Sequence, residues 1–171
     1  MILKPFSYLN DFLKLAANSK KWPINEIRAV GSRFSGKTWN YAEFICDLLN
    51  LVNNNQEMVR ASAFILRRDL SNLDELWDQY NTNLSNVILE QNVKTLNAKK
   101  KWVFENGNEV RFKHTNYKNK NKTVGAGWSC ARGDYIVVIY EEAYEFSNVE
   151  IARVREAVRG ANPNASILEI F

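Results

Sequence analysis

The sequence predicts an α/β domain built on a mostly parallel central sheet flanked by helices, and three observations carry that prediction. Short apolar runs alternate with stretches of helical periodicity along the chain. The run Tyr135-Ile136-Val137-Val138-Ile139-Tyr140 is apolar without alternation, the pattern of a strand covered on both faces. A glycine-containing loop, Gly31 to Gly36, joins the first predicted strand to the helix after it. The 171 residues suit a single domain spanning 1–171.

Element by element, Pro5 suits the first turn of a helix reaching about Asn18, with Leu9, Phe12, Leu13 and Ala16 at helical spacing. Trp22-Pro23 breaks it, and Ile24 to Val30 reads as a short strand. A helix follows from Lys37 to Val52, its buried face made of Ala42, Ile45, Cys46, Leu49 and Val52. Val59 to Leu66 is a second buried strand, closed by Arg67-Arg68-Asp69. Ser71 to about Tyr80 is helical, with Leu73, Leu76 and Trp77 on one side, and Asn83 to Leu96 is expected to be helical too.

Two alternating segments, 102–105 and 109–112, flank Asn106-Gly107, a strong hairpin signal because both residues tolerate positive φ. The polar, basic stretch from Thr115 to Asp134 is expected to be a mobile loop, followed by the strand Tyr135 to Tyr140. Ser147-Asn148-Val149-Glu150 fits a capping box, opening a helix to Arg159 that Gly160 stops. Ala165 to Phe171 is the final strand.

Composition narrows the function classes. No apolar run approaches the roughly 18 residues of a membrane span. The two cysteines, Cys46 and Cys130, lie far apart without metal-ligand spacing, which suits a reduced intracellular setting. The single histidine, His114, cannot build a zinc site. A net charge of +4 leans weakly toward an acidic partner such as nucleic acid. Its basic residues gather at Lys99-Lys100-Lys101 and at Lys113, Lys118, Lys120 and Lys122, either as solvated faces or as phosphate contacts.

The chemistry concentrates in Gly31-Ser32-Arg33-Phe34-Ser35-Gly36-Lys37-Thr38, which matches the P-loop pattern at every fixed position. A strand precedes it and a helix begins at its lysine, so backbone N–H groups and the helix N-terminus face phosphate oxygens. Lys37 reaches the β- and γ-phosphates of ATP, and the Thr38 hydroxyl ligates Mg²⁺. The required acidic element is expected at the end of a buried strand next to the first, and Glu141-Glu142 follows Tyr135 to Tyr140. There Glu141 would hold Mg²⁺, directly or through water, and Glu142 would deprotonate the attacking water. Arg33 either neutralises charge developing on the γ-phosphate or is a solvated loop arginine. Glu145 reads as a solvated acid.

Four segments resemble bacteriophage terminase large subunits. The segment at 31–40 resembles their Walker A motif, where arginine at the third position is common, and the segment at 135–146 their Walker B motif in the Glu-Glu-Ala form of the PBSX-like branch. The segment at 63–73 is similar to the strand after the first helix, and the segment at 102–112 to the hairpin before Walker B. The resemblance runs from about Glu26 to Phe171. It implies a P-loop NTPase of the additional-strand, catalytic-glutamate (RecA-like) type. Lys37 and Thr38 then take phosphate and Mg²⁺, Glu141 the metal-associated acid position, Glu142 the catalytic glutamate and Arg33 the P-loop arginine. Glu141 departs from the more common aspartate, and its longer side chain favours a water-mediated metal contact.

The resemblance also implies a motor that drives double-stranded DNA into a procapsid in the cytoplasm of an infected bacterial host. Its partners would be the portal protein, a small terminase subunit and further copies of itself in a ring, with a monomer when isolated and no membrane association. The nuclease part of such proteins is absent, so the chain is expected to be a truncated ATPase domain or one piece of a split gene. DNA contact is expected through Lys118, Lys120 and Lys122. The alternatives are another nucleic-acid-dependent P-loop ATPase, helicase-like or DNA-transporting, and a nucleotide-binding module without turnover.

Overall fold

Strand β2 (Ala61–Arg67) has every residue but the last buried, and β6 (Tyr135–Tyr140) is buried throughout, so both lie in the middle of a sheet. The protein was analysed as a computed structural model that describes residues 7–19, 21–29, 36–52, 55–85, 92–115 and 133–171. Around β2 and β6 are β1 (Glu26–Ile27), β3 (Lys94–Leu96), β4 (Lys101–Val103), β5 (Glu109–His114) and β7 (Ser166–Ile170). The order across the sheet is β1-β7-β6-β2-β5-β4-β3. The first five run parallel, and β4 and β3 extend the sheet antiparallel. The acidic pair had been expected on the strand next to β1, but it ends β6, which is not β1's neighbour. Strand β7 is inserted between them, which is the additional strand of this fold type.

The helices are α1 (Ser7–Ser19), α2 (Lys37–Leu49), α3 (Leu70–Asn83) and α4 (Asn148–Ala161). Alternate residues of the central strands feed two cores. Ala63, Ile65, Val137 and Ile139 pack with Leu13, Ile45, Leu49 and Trp77 of α1, α2 and α3. Phe64, Leu66, Ile136, Val138 and Tyr140 pack with Val154 and Val158 of α4. Both faces being covered explains why these strands show no polar alternation.

Several boundaries differ from expectation for identifiable reasons. Helix α2 ends at Leu49, and Val52, 38% exposed, bridges to Met58 instead of continuing the buried face. Its end is set by the hairpin. Asn106 Nδ2 and Asn108 Nδ2 donate to the Leu49 carbonyl at 2.6 and 3.0 Å, satisfying a carbonyl the helix leaves open. Helix α3 runs past Tyr80 to Asn83, but Lys94–Leu96 is a strand paired with β4. Cross-strand pairing overrides the helical spacing that suggested a helix there. Residues 86–91 lie outside the described residues.

The hairpin turn is also not the two-residue form. Phe104 N–H donates to Asn108 and Gly107 N–H to Phe104, both at 2.9 Å, with Gly107 alone at positive φ (84°). That is a three-residue loop closing on a left-handed glycine. Gly160 does not stop α4, which ends at Ala161 with Asn162 as its cap, just before Pro163, where the next N–H is missing. The capping box at its start is present, with Ser147 and Glu150 bonded reciprocally.

Candidate nucleotide-binding site

Gly36 occupies the N-cap of α2 in the left-handed region (φ 78°), where a side chain would be strained. Its carbonyl accepts from Asn40 N–H at 3.0 Å and from Asn40 Nδ2 at 2.7 Å. The first turn of α2 is thereby fixed, and Lys37 and Thr38 stand in it, half-buried. Gly31 to Ser35, including Ser32, Arg33 and Phe34, lie outside the described residues.

Glu141 follows the last residue of β6 and is held by its N–H donating to the Leu66 carbonyl at 3.0 Å. It is 6% exposed. The Tyr80 hydroxyl donates to Glu141 Oε1 at 2.6 Å, and the Thr38 side chain stands beside the same carboxylate, close enough to favour its charged form. Burial pushes the Glu141 carboxyl above the usual carboxylate range, and the negative charge of Glu142 adds to this; the Tyr80 bond, the Arg67 charge and the Thr38 side chain oppose it. Burial and the neighbouring carboxylate raise the Tyr80 phenol well above its ordinary value.

Glu142 adopts φ 55° and ψ 57°, a conformation that costs a non-glycine residue about 1–3 kcal/mol and that clusters at functional sites. Its carbonyl accepts from Glu145 N–H at 2.9 Å, closing a short 3₁₀ turn. Arg67, the last residue of β2, places Nη1 3.8 Å from Glu142 Oε1. Glu145, expected as a solvated acid, instead has Oε2 buried without a hydrogen-bond partner among the described residues.

Thr38, Glu141 and Glu142 are thus assembled at the end of β6 and the start of α2, beside two residues that sequence reasoning did not single out. Arg67 had been read only as the close of a strand. Tyr80 falls on the apolar stripe of Leu73, Leu76 and Trp77, and all four are buried. A tyrosine on such a stripe must find a partner for its hydroxyl, and that was the available signal.

The basic clusters fare differently. Lys100 pairs with Asp74 and Lys101 with Glu109, the latter at 2.9 Å, so two of the three lysines at 99–101 are used within the fold. Lys118, Lys120 and Lys122 lie outside the described residues. A shallow groove of about 770 Å³ between α3 and β3 is lined by Trp77, Asn81, Thr95 and Lys100 and holds none of the predicted site residues.

No helix among the described residues is long and apolar enough to cross a membrane. No curated protein sequence matches the chain. The crystal structure of the HK97 bacteriophage large terminase matches it with a TM-score of 0.58 at 15% identity, a likeness of fold. The match covers 96% of this chain and 32% of that one, so the chain spans about a third of that protein's length. A family model described as phage terminase large subunit matches residues 25–171. With most of its length matched, and with a mostly parallel sheet carrying an inserted strand before the acidic pair, the chain belongs to the phage terminase large subunit family.

Proposed function

We propose that this chain is the ATP-hydrolysing motor part of a phage DNA-packaging terminase. The observation that carries the reading is the placement of Thr38, in the first turn after the P-loop, beside the Glu141 carboxylate at the end of β6. It joins the phosphate-binding and acidic halves of the motif across about a hundred intervening residues, the separation expected when a P-loop strand and its acidic strand share one sheet.

In this reading backbone N–H groups of Gly31, Ser32, Arg33, Phe34, Ser35 and Gly36 receive the phosphate oxygens of ATP at the N-terminus of α2. Lys37 reaches the β- and γ-phosphates, and Arg33 neutralises charge that develops on the γ-phosphate. Thr38 and Glu141 fit Mg²⁺, since both offer hard oxygen donors and stand side by side; Glu141 suits a contact through water. When bound, the ion would offset negative charge on the β- and γ-oxygens. Glu142 orients the attacking water and takes its proton. Before that, it must leave Arg67, which holds its carboxylate at the end of β2.

The partners follow from the family's general role in packaging phage DNA: double-stranded DNA, a portal protein, a small terminase subunit, and further copies in a ring in the host cytoplasm. Family membership gives no support to a helicase-like or DNA-transport assignment, or to a module without turnover. Placement in the PBSX-like branch rests on the segments at 63–73 and 135–146. DNA contact through Lys118, Lys120 and Lys122 would be independent of sequence and would weaken steeply with salt.

Titration of a fluorescent ATP analogue tests the assignment. Lys37→Ala is expected to abolish most binding, while Glu142→Gln retains it and stops phosphate release. Equal affinity of Lys37→Ala and the parent would overturn it.

A further inference from the structure

Tyr80 is fully buried, and its ring is wedged among aromatic side chains from two other elements. Its centroid lies 5.2 Å from that of Phe112 on β5 and 6.1 Å from that of Trp102 on β4, and Trp77 one turn earlier packs on Phe112 at 4.9 Å. Trp102 Nε1 donates to Asn81 Oδ1 at 3.0 Å, which ties α3 to the hairpin again beside Tyr80. A ring so enclosed has no freedom to swing, so its hydroxyl is aimed in advance. The target is Glu141 Oε1 at 2.6 Å, a short bond of the charge-assisted kind.

Glu141 thus has two hydroxyl neighbours of different character, and Tyr80 is the one that donates to it at 2.6 Å. Thr38 belongs to the nucleotide-binding turn, and its oxygen is wanted by the cation. Tyr80 belongs to α3, and nothing in the proposed chemistry competes for it. When Thr38 turns to its other duty, Tyr80 remains the fixed partner of the carboxylate.

We propose that Tyr80 is a positioning residue for Glu141, holding the carboxylate in the orientation from which it binds the nucleotide's magnesium, and so anchoring the metal-side acid to α3 and the β4–β5 hairpin. This rests on the role assigned to Glu141 above. It adds a dependence of that role on a residue that touches neither nucleotide nor metal.

The test uses the purified protein and four variants: Tyr80→Phe, Glu141→Gln, the two combined, and Phe112→Leu. Binding of a fluorescent ATP analogue is followed while Mg²⁺ is titrated, with a parallel measurement in EDTA and a thermal melt of each variant. Tyr80→Phe keeps the ring and removes only the hydroxyl. It is expected to raise the half-saturating Mg²⁺ concentration about tenfold, the lower end of what loss of a partner behind a metal ligand costs, with binding in EDTA unchanged. In the Glu141→Gln background the same change is expected to have no further effect. Phe112→Leu loosens the ring cluster but keeps the hydroxyl, so it is expected to lower the melting temperature and to shift the Mg²⁺ midpoint by clearly less than Tyr80→Phe does.

If Glu141→Gln moves the midpoint and Tyr80→Phe does not, Tyr80 is structural and the proposal falls while Glu141 keeps its role. Should Glu141→Gln itself leave the midpoint in place, the assignment of Glu141 fails and the proposal with it. A Phe112→Leu shift equal to that of Tyr80→Phe would also overturn it, because packing alone would then explain the effect.

Discussion

Two buried glutamates lie near each other in the sheet and have opposite electrostatic circumstances. Glu169 on β7 accepts from Tyr140 Oη at 2.8 Å and from Arg155 Nε at 2.6 Å, and Arg155 also approaches Glu26 at 3.6 Å. Glu141 at the end of β6 likewise accepts from a tyrosine, Tyr80, but makes no ion pair among the described residues; Arg67 is paired instead with Glu142. The two are equally hidden, at 7% and 6% exposure. Glu169 has its charge matched and ties β6, β7, α4 and β1 together. Glu141 has no ion-pair partner among the described residues, so its charged form is costly in a buried place unless something positive arrives. The difference separates an architectural carboxylate from one poised for a cation.

The sharpest way to break this comparison is to alter the acid beside Glu141. Glu142→Gln is expected to slow single-turnover phosphate release by about 10²–10⁴-fold, the usual contribution of a general base, with little change in melting temperature. Glu169→Gln is expected to reverse the pattern, lowering the melting temperature while nucleotide affinity stays near that of the parent. Parallel effects of the two substitutions on hydrolysis would erase the distinction.

Next in size is the loss of the matching cation. Arg155→Ala leaves Glu169 buried without its partner. Breaking a fully buried pair costs about 3–5 kcal/mol, but the Arg155 side chain is 40% exposed and solvent screens part of that. A destabilisation of about 2 kcal/mol in urea unfolding is expected, again with nucleotide binding intact. A change below a few tenths would mean that Tyr140 alone satisfies Glu169.

The contrast also shows what the sequence could reveal. Glu141 and Glu142 were visible because they interrupt the end of an apolar run at the spacing a P-loop demands. The Ser147–Glu150 box was visible because capping is local, written in four consecutive residues. Arg67 and Tyr80 were not, since each acquires meaning only when β2, β6 and α3 are brought together, and side-chain pairs across elements leave no periodic trace. The central strands β2 and β6 were legible from buried apolar runs, and β5 from its alternation. Strand β3 was not, because three residues paired to β4 carry too short a pattern to outweigh the helical spacing before them. The place of β7 between β1 and β6 was not legible, because strand order leaves no periodic trace, and the acidic strand was expected beside β1.

A smaller effect is expected at the capping box. Glu150 closes α4's first turn and also meets Arg68, with Nε to Oε1 at 3.4 Å. Burial alone would raise its carboxyl, but the bonds from Ser147 and the Arg68 charge outweigh this and hold it below the usual range. Glu150→Ala is expected to cost about 1 kcal/mol, as loss of a helix cap does. Because the folded pKa is lowered, this contribution is full above the ordinary carboxylate value and fades as pH falls through the folded one. Wild type and variant should therefore converge in strongly acidic solution, and a gap that persists there would assign the loss to packing.

The smallest signal expected is a pH slope from Glu141, and its sign is opposite to that of Glu150. Burial raises the Glu141 carboxyl in the folded protein, so between its ordinary value of 4.5 and the raised one the folded state holds a proton that the unfolded state has released. Stability is then full below pH 4.5 and declines as pH rises through the folded value, with a slope for one group no steeper than about 1.4 kcal/mol per pH unit. Glu109 and Glu150, whose carboxyls are held low, lose their contributions only as pH falls below their ordinary range. Tyr80 and Tyr140 are raised above 10, and the buried Cys46 thiol is pushed up to about 12, so none of the three intrudes between pH 5 and 8. In that window Glu141→Gln is expected to flatten the nucleotide-free stability profile and to leave the protein more stable at the upper end. Urea midpoints at a series of pH values from 4.5 upward, for parent and variant, measure it. The same profiles taken with saturating Mg²⁺ and ATP should show the parent's decline abolished, because the arriving cation favours the ionised carboxylate. A decline of equal slope in Glu141→Gln would assign the titration elsewhere and remove the raised carboxyl as the feature that sets this carboxylate apart from Glu169.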